Sequence, residues 1–240
     1  KILELELAPW RNIKASCINR WLQISVMSGI RELHLYMGAS IDGNYNFPCS
    51  VLSDEAAASS IESLRLSCCP FNPTSTLGLL RRLTSLLLSH VGITEEGLGL
   101  LLSKSSALQR LEFFYCSEII CLRIPCTLQK LNFLNIVGTK KMRVEINAPN
   151  LSTFRRVCGG VTLMKISVRN SSQLKDVYLS FILLSDAHAR LPSIAGNVES
   201  LTMHSLAEVC VLVVCIVTMI CTFMLEMVEL TIHILESAPS

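Results

Sequence analysis

The chain has 240 residues, half of them apolar, and a formal net charge of +2. That composition can bury a large core and excludes global disorder. A charge so near zero gives nucleic acid no strong electrostatic attraction, and the short basic clusters Lys140-Lys141 with Arg143 and Arg155-Arg156 read as solvated loops.

The N-terminus reads Lys-Ile-Leu-Glu-Leu-Glu-Leu. Leu3, Leu5 and Leu7 alternate with Glu4 and Glu6, the period of a strand. With no initiator Met, no basic n-region and no long apolar h-region, the expectation is a chain that starts partway through a longer protein and carries no signal peptide here. Next, Ile18, Trp21 and Leu22 put one apolar face on a helix over Ile18–Val26.

From residue 30 one pattern recurs: apolar, two free positions, apolar, one free position, apolar. It runs Ile30-Arg31-Glu32-Leu33-His34-Leu35, then Ile61-Glu62-Ser63-Leu64-Arg65-Leu66, then Leu83-Thr84-Ser85-Leu86-Leu87-Leu88. Further copies start at Leu108, Leu128, Leu174 and Val198, and a degenerate copy starts at Leu151 with Phe154. The starts at 61, 83, 108, 128, 151, 174 and 198 are spaced by roughly the 20–29 residues of leucine-rich repeats. The longer step from 30 to 61 implies an insertion in the polar loop Ser40–Asn46. Three residues after the last strand leucine the repeat places Asn or Cys. Cys69 and Cys116 stand there, with Val91 and Ile136 in other copies.

No single unit buries its apolar face alone, so the units must stack. The fold class expected is α/β: a leucine-rich-repeat solenoid (horseshoe) with a parallel concave sheet, a helical or irregular convex side and a C-terminal hydrophobic helix. The clearest convex helix is Thr94–Ser103, with Glu95 and Glu96 in its first turn and Leu98, Leu101 and Leu102 facing inward.

Several stretches resemble the repeat region of plant F-box/LRR proteins. They are Trp21-Leu22 before the first copy, Phe47-Pro48-Cys49-Ser50-Val51-Leu52, Ser60–Leu66, Ile93-Thr94-Glu95-Glu96-Gly97-Leu98, Ala148-Pro149-Asn150-Leu151 and Leu174-Lys175-Asp176-Val177. The resemblance spans about residues 20 to 206. It implies a substrate-recognition module of an SCF-type ubiquitin ligase, in which an F-box docks on a Skp-type adaptor. No F-box motif is read in this chain, so adaptor docking is expected only from an F-box upstream.

After Leu206 the texture changes. The organisation expected is a repeat domain over 1–206 and a hydrophobic tail over 207–240, with an almost unbroken apolar run over 209–225. That run is at the short end of a membrane span and has no flanking Lys or Arg to orient it. Three readings stand side by side: a single membrane helix anchoring a stand-alone scaffold, a shifted reading frame replacing the last repeats, and a buried helix closing the solenoid.

Eleven cysteines, an odd number with no Cys-x-x-Cys, point to a reducing compartment, cytoplasm or nucleus, with the membrane as the alternative. The five histidines show no metal spacing, and no nucleophile elbow, phosphate loop or dinucleotide fingerprint occurs. No enzymatic activity, cofactor or metal is therefore expected. The expected function is protein binding on the concave sheet, through the free strand positions. Among these, Tyr36, Arg65, Arg110, Phe114 and Tyr178 are the residue types enriched in binding hot spots. The free positions of the copy at Leu128 are read as Lys130, Asn132 and Leu134.

Overall fold

The computed structural model describes residues 1–7, 13–38, 45–138, 142–162, 165–182, 198–206 and 229–235. Their main element is a parallel sheet of ten strands. In sheet order these are β1 (Ile2–Glu6), β2 (Glu32–Tyr36), β3 (Ser63–Ser67), β4 (Ser85–Ser89), β5 (Arg110–Phe114), β7 (Phe133–Gly138), β9 (Thr153–Thr162), β11 (Asp176–Ile182), β12 (Ser200–Leu206) and β13 (Glu229–Leu235). Each strand pairs with that of the next repeat, which is the geometry of a leucine-rich-repeat solenoid.

The repeat pattern explains the stack. Its first apolar residue is buried at the corner before each strand, as at Ile61, Leu83, Leu108 and Leu174. Its second and third point inward from the strand and form two columns. Leu33, Leu64, Leu86 and Leu111 stand in register in one, and Leu35, Leu66, Leu88 and Phe113 in the other. Each such residue contributes about 1.5–3 kcal/mol by leaving water. The residue just before each strand adds a second ladder along the rim. The carbonyl of Arg31 accepts from the amides of Glu62 and Ser63, and that of Glu62 from Thr84 and Ser85. The carbonyl of Thr84 accepts from Gln109 and Arg110, and that of Gln109 from Asn132 and Phe133.

That ladder corrects one register. The expected copy beginning at Leu128 begins at Leu131 instead. Leu134 pairs with Leu111 and Ile136 with Phe113, and both are buried. Leu134 is therefore a core residue, and Lys130 and Asn132 precede the strand. The residues of β7 that alternate outward are Phe133, Asn135 and Val137. Ile136 fills the inward column and does not mark the Asn/Cys place.

The degenerate copy at Leu151 is complete, with Arg156 as its third inward residue. It stands between Ile136 and Leu179 and is 2% exposed. Its guanidinium lies 3.4 Å from Met142 Sδ and donates to the Met142 carbonyl at 3.3 Å. Burial lowers its pKa, opposed by its interaction with Cys158. Arg143, Arg155 and Arg156 thus lie in strands, not in the solvated loops expected; Lys140 and Lys141 fall outside the described residues.

The convex side changes character along the array. In the early repeats it carries α1 (Ala15–Met27), a 3-10 turn over Cys49–Leu52, α2 (Glu55–Ala58) and α3 (Glu95–Ser103). The Thr94 hydroxyl accepts from the Gly97 amide at 3.1 Å and caps α3. The buried residues of α1 are Ile18, Leu22 and Val26, whereas Trp21, expected inward, is 42% exposed. Over residues 121–169 the described convex strands form a second parallel sheet in place of the helix or irregular chain expected. Its order is β10 (Ile166–Arg169), β8 (Arg143–Asn147), β6 (Cys121–Ile124). Cys-Leu-Arg-Ile and Arg-Val-Glu-Ile alternate with period two, and Leu122, Ile124, Val144 and Ile146 are the buried halves.

Of the C-terminal segment, 209–225 lies outside the described residues, and with it the expected hydrophobic helix. Beyond it the sheet continues: Glu229 to Leu235 pair in parallel with Ser200 to Leu206. The expected tail therefore contains a further repeat strand. Among the described residues no helix is long and apolar enough to cross a membrane.

Candidate protein-interaction face

The outward positions of the concave sheet form three rows, because register is kept from strand to strand. The middle row runs Glu4, His34, Arg65, Leu87, Glu112, Asn135, Arg155, Tyr178, Thr202. One flanking row includes Glu32, Ser63, Ser85, Arg110 and Phe133; the other includes Tyr36, Ser67, Ser89, Phe114 and Val137. The expected residues Tyr36, Arg65, Arg110, Phe114 and Tyr178 all occur in these rows, on four strands. They do not form one cluster. Tyr36 and Arg65 stand on neighbouring strands, as do Arg110, Phe114 and the overlooked Phe133, and Tyr178 lies further along the array.

The centre of the face is knitted by polar contacts. Arg110 Nε donates to Glu112 Oε1 at 2.6 Å, and Asn135 Nδ2 donates to Glu112 Oε2 at 3.2 Å. The Arg110 guanidinium also lies 3.7 Å from the centroid of the Phe133 ring. Further along, Arg155 lies 5.1 Å from the Tyr178 ring, and the rings of Tyr178 and His204 are 5.2 Å apart. Such cation–π contacts are worth about 0.5–1 kcal/mol when exposed, which restrains these side chains. Phe133 and Arg155 were missed. The first was hidden by the register at Leu128, and the second carries no signal beyond lying one residue after an inward Phe154.

Between β2 and β5 the face is lined by small residues: Ser63 and Ser67 on β3, Ser85 and Ser89 on β4. Arg65 and Leu87 stand between them. Beside Arg65, His34 Nε2 and Ser63 Oγ are buried atoms without a hydrogen-bond partner. His34 Nε2 is 3.5 Å from Glu32 Oε2, close enough for an ion pair when the ring is protonated but not a hydrogen bond.

No group of three or more His, Cys, Asp or Glu among the described residues is arranged to hold a metal ion. What the face presents is aromatic rings, arginines and small hydroxyls in register on a parallel sheet.

The family model of the At1g61320/AtMIF1 LRR domain matches residues 1–218. The chain belongs to that family. The match to this plant LRR domain continues past Leu206 into the segment read as a tail. No curated protein and no solved structure matches the chain. Like other leucine-rich-repeat domains, it is a protein-interaction scaffold, a class that is typically non-enzymatic.

Proposed function

We propose that the concave face captures a protein, and that the chain serves as the substrate-recognition repeats of an F-box, SCF-type ubiquitin ligase. The observation that carries the first part is the Arg110–Phe133–Glu112–Asn135 group at the middle of the face. It pre-orients an arginine and an aromatic ring, the residue types of interface hot spots, on neighbouring strands. Support for the second part is the resemblance of residues 20 to 206 to F-box/LRR repeats. A Skp-type adaptor would be engaged by an F-box upstream and not by these repeats. The cytoplasm or nucleus fits the free thiols of the described cysteines.

Arg110→Ala with Phe114→Ala tests the capture. The double variant should lose partner capture while its circular dichroism stays that of the parent; unchanged capture removes this face from the account. Pull-down of a Skp-type adaptor by the complete protein tests the ligase assignment, and its failure leaves a binding scaffold alone. A second reading, a scaffold anchored to a membrane, draws on the apolar run over 209–225. Membrane fractionation decides it, since a wholly soluble product has no anchor.

A further inference from the structure

We propose that the partner segment captured by the concave face is extended and acidic, with one carboxylate on Arg65 and a second on Arg155. This inference rests on the concave face being the binding surface.

The charges at the centre of the face are already paired. Arg110 is engaged by Glu112, and Glu112 in turn by Asn135. Arg65 and Arg155 are both exposed, and neither has a carboxylate within ion-pair distance among the described residues. Both stand in the middle row, Arg65 on β3 and Arg155 on β9, with β4, β5 and β7 between them. Four strand spacings separate them by about 19 Å. An extended chain covers that distance in about six residues.

The surroundings of Arg65 ask for an acceptor. Its neighbours at Ser63, Ser67, Ser85 and Ser89 are small, so a ligand side chain can reach the guanidinium from above the sheet. Ser63 Oγ and His34 Nε2 are buried there without hydrogen-bond partners. A buried polar group left unsatisfied is destabilising. A carboxylate on Arg65 would accept from the Ser63 hydroxyl, and from His34 when Nε2 carries a proton, once the side chains covering these two atoms turn aside. Between the two arginines, Leu87 and the rings of Phe114 and Phe133 offer apolar contact to the intervening side chains. At the other end of the face, Glu4, Glu6 and Glu32 repel an acidic segment and so hold it on the β3–β9 side. A basic segment would find the opposite pattern and would sit at β1 and β2.

The test uses the purified 240-residue chain and two fluorescein-labelled decapeptide pools of equal Leu and Phe content. One pool carries Asp and Glu at its charged positions, and the other Lys and Arg. Fluorescence anisotropy should show the acidic pool binding roughly tenfold or more tightly than the basic one. Arg65→Gln with Arg155→Gln should abolish that preference while circular dichroism stays unchanged. Equal binding of the two pools, preference for the basic pool, or binding by neither overturns the inference. So does an acidic preference that survives the double substitution. The Arg110→Ala, Phe114→Ala variant separates the two levels. If it loses binding of pools that the chain does not tell apart, the face is right and the acidic partner wrong. If neither double variant changes pool binding, both fail.

Discussion

The guanidinium of Arg110 lies 3.7 Å above the ring of Phe133, on the solvent side of the concave sheet. This contact marks the register of β7 against β5, because it requires Phe133 to point outward and its neighbour Leu134 inward. Leu134 is fully buried, in register with Leu111. Leu134→Ala should therefore cost about 2–5 kcal/mol, the range for a core leucine. Phe133→Ala should cost only about 1 kcal/mol, chiefly the cation–π contact. Urea unfolding of the two variants measures both, and equal losses would contradict the register.

Two glycines make opposite predictions. Gly99 lies in α3 with nothing within 4 Å of where a Cβ would stand. Gly99→Ala should raise stability by about 0.5–1 kcal/mol through helix propensity. At Gly78 a Cβ would come 2.9 Å from the Leu52 carbonyl oxygen, whose lone pair already receives the Gly78 amide. Gly78→Ala should lower stability, since backbone must shift. Thermal unfolding of the pair checks the signs.

Cysteine reactivity should follow burial. Burial pushes the thiol of Cys69 up to about 12 and that of Cys116 to about 11. Cys17 and Cys126 are exposed. Thiolate is the reacting form, so iodoacetamide at about pH 8 should label Cys17 and Cys126 in the native protein and spare Cys69 and Cys116. Peptide mass spectrometry reads the sites, and rapid labelling of Cys69 would contradict the packing of the third repeat.

Glu62 sits on the strand rim between Arg31 and Arg82 and pairs with both. The hydrogen bond from Arg31, 2.6 Å to Oε2, is the main cause holding its carboxyl below the usual range. The folded value is depressed, so the contribution is present above the unfolded carboxylate value of about 4.3 and is lost as pH falls through the folded value. Glu62→Gln should thus lower the urea midpoint at neutral pH and match the parent in acid. A difference independent of pH would sink this account of the rim.

How much could be read from the sequence depended on how unambiguous the inward residues were. At Leu64-Arg65-Leu66 and Leu86-Leu87-Leu88 the pattern has one register, and the strands follow it. From Leu128 to Ile136 two registers satisfy the same pattern, and contacts between repeats decide between them: the amides of Asn132 and Phe133 on the Gln109 carbonyl, and the pairing of Leu134 with Leu111. Arg156 obscured its copy because a cation occupies an inward place. The convex strands were missed because Cys121–Ile124 and Ile166–Arg169 are too short to stand out by alternation. Spacing from Ile18 puts Trp21 inward, but Val26 shares that face and Trp21 does not. On the candidate site, the strand rows were legible and their contacts were not, since Arg110–Phe133 and Arg155–Tyr178 join different repeats.

The central claim, capture of a protein by the concave face, is tested most directly by site-specific photocrosslinking in plant cell extract. One variant carries benzoylphenylalanine at Phe114 on the concave sheet, and another carries it at Arg123 on the exposed face of the convex sheet. The account predicts a discrete protein adduct from Phe114 and none from Arg123. Adducts from Arg123 alone would place the partner on the convex side and contradict it.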